Sequence, residues 1–277
     1  MRIALCNEVL REMEFTSQCS YAAGLGYDGL EVAPFTLAEN PHLISSLGRS
    51  EFRRMAEDAG IQITGLHWLL LAPEGMSITA KDSSIRDKTL DFMRRLVVLC
   101  ADLGGEVLVH GSPKQRVLEA HEDRVEAEKW AQDMFAVVAE EAEQAGVVYC
   151  VEALNQAETN FINHISEAVA LVQQIGSPAL RTMLDTKAAL LQEKEPIPVL
   201  LDRWIPDGMI AHIHVNESNL RAPGQGENHY TPIFSALIRN SYKGLVGVEP
   251  FEYFPDGKGA AARAIGYIQG ILESLEN

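Results

Sequence analysis

The sequence predicts a single (β/α)8 barrel with its active site at the C-terminal ends of the strands, and three observations carry that prediction. Short apolar runs alternate with longer amphipathic stretches, the alternation repeats eight times, and glycines fall where helices should stop before the next strand. Strict alternation argues for a parallel sheet covered by helices, and eight is the number of strands that closes a barrel. An open doubly wound sheet is the rival, but no GxGxxG follows the first strand. No linker, low-complexity segment or domain boundary interrupts residues 1–277, so the chain reads as one domain.

The elements follow in order. RIALCN (2–7) is the first strand, followed by a helix near 16–24 that opens at Thr16. GLEVAP (29–34) is the second, with a helix near 50–59 opened by Ser50 and closed by Gly60. IQITGLHW (61–68) leads to a long helix near 83–103, with Ser83 at its start and Gly104 at its end. EVLVHGSP (106–113) precedes a helix near 121–145 that stops at Gly146. GVVYCVEA (146–153) is paired with a helix near 165–175, stopped by Gly176. LRTMLDT (180–186) leads to a helix near 195–204. MIAHIHV (209–215) leads to one near 231–240, with Thr231 and Pro232 in its first turn and Gly244 beyond it. GLVGVEPF (244–251) and a helix near 257–275 complete the set.

Composition narrows the function. The 277 residues are 47% hydrophobic and 22% charged, as expected of a globular chain. No run of about 18 uncharged apolar residues spans a membrane, and the start MRIALCNEVLREMEF lacks the apolar core of a secretory signal. Cys6, Cys19, Cys100 and Cys150 are scattered and form no CxxC, so they read as reduced buried thiols of a cytoplasmic protein. The net charge of −16 argues against nucleic acid as a partner, since PKQR (113–116) is the only compact basic cluster.

Polar residues at the ends of apolar parallel strands need a reason, and barrel chemistry gathers there. Strand five ends in Glu152, six in Asp185, seven in His214 and eight in Glu249. Converging carboxylates repel unless a cation sits among them. Oxygen-rich ligation with one imidazole suits Mn²⁺, Mg²⁺ or Co²⁺. In HIH, His212 and His214 share a face, with His212 one layer deeper and expected to bond to backbone. His67 and His110 either line the mouth and contact substrate or pack in the core. Glu158 either holds a substrate hydroxyl or is a solvated loop charge. Lys114 and Arg116 either hold an anionic group or lie on the surface, and Glu8 and Glu31 are minor candidates on the first strands.

At VEALN, MLDT, HIHVNESN…APGQGE and VEPF the chain resembles the sugar isomerase/epimerase superfamily with the xylose isomerase-like barrel, nearest the branch of D-tagatose 3-epimerase. The resemblance runs essentially from end to end. It implies that Glu152, Asp185, His214 and Glu249 hold one divalent ion, commonly Mn²⁺, and that Glu152 and Glu249 are the catalytic bases. One glutamate would remove the proton beside a ketose carbonyl and the other return it from the opposite face, through an enediolate. A small carbohydrate is then the expected partner, and a homo-oligomer is compatible. A metal-dependent lyase or dehydratase of the same superfamily is the alternative.

Two positions depart from the branch. Its histidine three residues after the metal-binding Asp is Ala188 here, and its arginine six residues after the ligand histidine is Leu220, with Arg221 next door. Glu158 does match. The metal and base machinery is therefore expected to be intact, with a more apolar substrate wall at Ala188 and Leu220, or else with Lys187 or Arg221 supplying a compensating charge for an anionic substituent.

Overall fold

Strands rich in Val, Ile and Leu on both faces can only be buried between two layers, and here they close on themselves. In the computed structural model, which describes residues 1–119 and 123–276, the strands are β1 (Arg2–Cys6), β2 (Gly29–Val32), β3 (Gln62–Leu66) and β4 (Val107–His110), then β5 (Val148–Glu152), β6 (Leu180–Asp185), β7 (Ile210–Val215) and β8 (Leu245–Val248). Each pairs in parallel with the next, and β8 pairs with β1 to close the barrel in sequential order.

The outer layer is α1 (Phe15–Leu25), α2 (Ser46–Asp58), α3 (Ser83–Leu103), α4 (Arg124–Ala145), α5 (Ile165–Ile175), α6 (Thr186–Gln192), α7 (Ile197–Trp204), α8 (Thr231–Arg239) and α9 (Gly257–Glu276). Among the described residues no helix is long and apolar enough to cross a membrane. The helix expected near 121–145 has its first two positions outside the described residues. The main core lies between strands and helices. Val107, Val109, Cys150, Met183 and Leu245 form a separate small cluster. Cys150 and Met183 each precede a strand-end carboxylate by two residues, so they share its inward face.

Several helix starts differ from expectation. Ser50 is inside α2, whose cap is Ser45, with its hydroxyl accepting from the Gly48 N–H. Asp82, rather than Ser83, caps α3 by accepting from the Ser84 N–H. Thr16 is the second residue of α1, which Glu14 precedes without a side-chain cap. Gly104, Gly146 and Gly176 take the left-handed conformation at helix ends. After α8 that role falls to Ser241 (φ 53°), while Gly244 lies against Tyr242 Oη, where a Cβ would collide. Helix α6 was not foreseen: Asp185 ends β6 and at once caps α6, accepting from the Ala188 N–H at 2.7 Å.

Candidate active site at the barrel mouth

The barrel register brings the four strand-end residues together. Asp185 pairs with His214 across β6 and β7, and the Glu249 N–H donates to the Val215 carbonyl at 3.2 Å just beyond β8. Donor atoms of Glu152, Asp185 and His214 all lie within 4.8 Å of one another, and His214 Nδ1 is 3.0 Å from Glu249 Oε2. All four side chains are buried. Burial, then Asp185 and Glu249, push the Glu152 carboxyl well above the usual range. Burial and Glu249 raise Asp185 to about 6. Burial acts in the same sense on Glu249, but His214 outweighs it and holds that carboxyl low. Like charges held this close in a buried site favour a cation among them.

Beneath this cluster lies Glu31, fully buried on β2. Its Oε1 is 2.9 Å from His214 Nε2 and its Oε2 is 2.8 Å from His212 Nε2. His212 therefore meets a carboxylate rather than the backbone. With Nε2 of His214 directed at Glu31, Nδ1 faces the carboxylate cluster, the carboxylate–histidine pairing that orients a metal ligand. His67 extends the network, with Nε2 2.8 Å from Glu8 Oε2 and Nδ1 3.8 Å from Glu31 Oε1. Burial alone would lower His67, yet Glu8 and Glu31 raise it overall. Glu31 was a minor candidate from sequence; its signal was a carboxylate inside an apolar run, which a buried strand tolerates only with partners.

Two further residues fix the cluster. Asn216, just past β7, donates to Asp185 Oδ2 at 2.6 Å and to the Glu249 carbonyl at 3.1 Å. Arg116 is fully buried, not superficial, and donates to the Glu152 carbonyl at 2.7 Å. Lys114 is exposed, as the surface reading had it.

The mouth cleft is lined by Glu152, Asp185 and Glu249 together with His67, Trp68, Glu158, Lys187 and Phe251. Of the residues expected at the mouth, His67 and Glu158 are among this lining. His110 does not. It alternates with Val109, which faces the cleft, so its ring points outward against Phe135 of α4, with Nδ1 2.7 Å from Tyr149 Oη. Arg221 also lies outside the lining, over the Phe254 ring at 4.7 Å and 3.8 Å from Glu252. Neither Ala188 nor Leu220 lines the cleft. The wall expected to be apolar there is formed by Lys187 and Phe251, because Lys187 swings its ammonium into the mouth. A larger cavity of about 500 Å³ between Val9–Met13 and Tyr253–Lys258 contains none of the four clustered residues. Chemistry, not size, marks the site.

A closed parallel barrel with three carboxylates and an imidazole gathered at its C-terminal mouth defines a (β/α)8 protein whose strand ends could hold a divalent ion. Residues 19–270 match the family of xylose isomerase-like TIM barrels, and the chain belongs to that family. It is 28% identical over 249 residues to the D-psicose 3-epimerase of Ruminiclostridium cellulolyticum, covering 87% of this chain and 79% of that protein. Its fold is similar to a structure of L-ribulose 3-epimerase (TM-score 0.84, 20% identity, 99% of this chain and 95% of that one). It is also similar to 3-keto-D-glucoside 4-epimerase from E. coli (TM-score 0.83, 17% identity, 98% and 99%).

Proposed function

We propose that the protein is a sugar epimerase that inverts a carbon beside the carbonyl of a keto-sugar, using a divalent ion held by Glu152, Asp185, His214 and Glu249. The observation that carries this reading is the pair of buried glutamates, Glu152 on β5 and Glu249 after β8, on either side of one His–Asp cluster. The donor set fits a hard or borderline divalent ion, most readily Mn²⁺, with Mg²⁺ or Co²⁺ as alternatives. When bound, that ion would polarise the substrate carbonyl and acidify the adjacent C–H. The glutamates then divide the proton work: one takes the proton from one face of the carbon, and the other delivers a proton to the opposite face. Glu31 holds the His214 ring and Asn216 holds the Asp185 carboxylate, so neither must reorganise as substrate enters. Kinship with ketose 3-epimerases supports C3 of a ketose as the reacting carbon. The four cysteines are free and buried, which supports a reducing, cytoplasmic setting.

The alternative, expulsion of a β-substituent, needs an acid for the leaving group, and His67, an imidazole in the cleft lining paired with Glu8, is the candidate for it. One experiment separates the two. The Mn²⁺-loaded protein is incubated in D₂O with free ketohexoses, keto-glycosides and keto-inositols while C–H signals and products are followed by NMR. Deuterium entering beside the carbonyl with appearance of the epimer is expected. Loss of water or of a substituent without an epimer selects elimination. No exchange with any ketone, metal bound, rejects both.

A further inference from the structure

Lys187 stands two residues past Asp185, and its ammonium turns into the mouth cleft instead of toward solvent. The side chain is only 6% exposed, with Nζ 2.7 Å from Glu158 Oε1 and 4.2 Å from the centre of the Phe251 ring. Its backbone is pinned, since the Lys187 N–H donates to Asn216 Oδ1 at 2.9 Å and Asn216 also holds Asp185. The ammonium is therefore positioned by the same residue that orients the catalytic cluster. Glu158 keeps 29% of its side chain exposed and accepts from Asn155 as well. An ammonium carries three donors, and Glu158 occupies one of them. Another faces an aromatic ring, a weaker partner than an oxygen.

The charge balance says what these two groups can bind. Glu152, Glu158, Asp185 and Glu249 line the cleft, against the single ammonium of Lys187. A divalent ion adds two positive charges, and His67 is already paired with Glu8. Among the described residues lining the cleft, no further cation remains for a phosphate or carboxylate substituent. An adjacent donor and acceptor beside an aromatic face instead suit neighbouring hydroxyls on a sugar.

We infer that Lys187, on the epimerase reading above, is a specificity-determining residue that touches substrate. Lys187 Nζ donates to one hydroxyl oxygen, Glu158 accepts from the neighbouring hydroxyl, and a C–H face of the sugar lies on Phe251. The substrate is an uncharged polyol. Lys187, not Ala188, thus faces this side of the cleft.

The test is titration calorimetry on the Mn²⁺-loaded protein with D-psicose, D-fructose, D-tagatose, D-fructose 6-phosphate and the monodeoxy forms of the tightest-binding ketose. Neutral ketoses are expected to bind, with the phosphate ester at least about tenfold weaker. Lys187→Met should weaken the best ketose about ten- to a hundredfold, the range for a hydrogen bond to a charged group. One monodeoxy sugar should bind wild type and Lys187→Met equally, because the lost hydroxyl was the lysine's partner. Lys187→Met/Glu158→Gln leaves no unpaired charge and guards against a folding defect, with melting followed alongside; it should lose affinity at least as much. An equal loss for every sugar including all monodeoxy forms, tighter binding of the phosphate ester, unchanged affinity in Lys187→Met, or no binding of any neutral ketose would overturn the inference. Deuterium exchange on the same samples judges the epimerase reading separately: a ketose that binds normally but never exchanges counts against that reading, while the affinities still decide the role of Lys187.

Discussion

On the proposed mechanism, replacing Glu152 or Glu249 with glutamine keeps the shape of the side chain but removes a base and a negative charge from the ion site. Each change should lower turnover by several orders of magnitude, since a general base alone contributes about 10²–10⁴. Inversion needs both carboxylates and isotope exchange needs one. Deuterium uptake should therefore persist in one of the two variants, with neither producing epimer at the parent rate. Near-normal epimer formation by a metal-replete variant would remove that residue from the mechanism. Glu31→Gln should leave the ligands in place yet weaken Mn²⁺ binding by about 10–100-fold, the usual cost of losing a histidine's supporting carboxylate, as read by Mn²⁺ titration. The cluster of Glu152, Asp185, His214 and Glu249 was legible in the sequence because polar residues ending four successive apolar strands are carried to one barrel mouth. Glu31 obeyed the same rule, but its partner His214 is 183 positions away, and no local pattern reveals that pairing. His110 takes the core place of its two readings for a simpler reason: strand parity decides which way a strand-end residue points, and its neighbour Val109 holds the inward place.

The turn leaving β4 constrains the strand beside it. A Cβ at Gly111 would collide with Glu152 Oε2, the flexible end of a side chain rather than backbone. Gly111→Ala should therefore cost little stability, with a melting shift below about 4 °C, the effect of roughly 1 kcal/mol in a domain this large. Activity should fall at least about tenfold, because displaced catalytic groups lose alignment. A full loss of folded protein by circular dichroism would contradict this reading. At this scale most of the fold was readable. The helices expected at 83–103 and 165–175 have those limits in the structure, because apolar periodicity and a terminal glycine bracket each one. Helix α6 escaped because its first residues, TKAA, carry no stop or cap apart from Asp185, already assigned to the site. The missed caps at Ser45 and Asp82 reflect the same weakness: any nearby Ser or Asp can accept the first free N–H groups, and sequence does not choose among them.

For the molecule as a whole, the buried carboxylates set a pH dependence. Asp185 is raised from 3.8 to about 6, so the folded chain holds this proton more tightly than the unfolded one. Rising pH then favours the unfolded state from about 4 to about 6, and Glu152 acts in the same direction to higher pH. Glu31 and Glu249 are lowered, so their contribution is present above the ordinary carboxylate range and is lost only as pH falls through their depressed values. Metal-free protein should accordingly lose stability between about pH 4 and about pH 6. Mn²⁺ should reverse that slope, since ligands must shed protons to bind it. Denaturant titrations across pH, after EDTA treatment and after Mn²⁺ addition, measure both. An identical pH profile with and without Mn²⁺ would mean that the ion does not use these carboxylates.

The contact between Glu31 of β2 and His214 of β7 also fixes when the site comes into being. Its two halves lie 183 residues apart in the chain, so their meeting carries a large loop-closure cost and the supported ligand set is expected late in folding. Interactions absent from the rate-limiting barrier slow escape from the native state without hastening arrival. In stopped-flow chevrons, Mn²⁺ should therefore depress the unfolding limb and leave the refolding limb where it was. An ion that instead accelerated refolding would reveal a chelating nucleus already gathered before the first and last strands join.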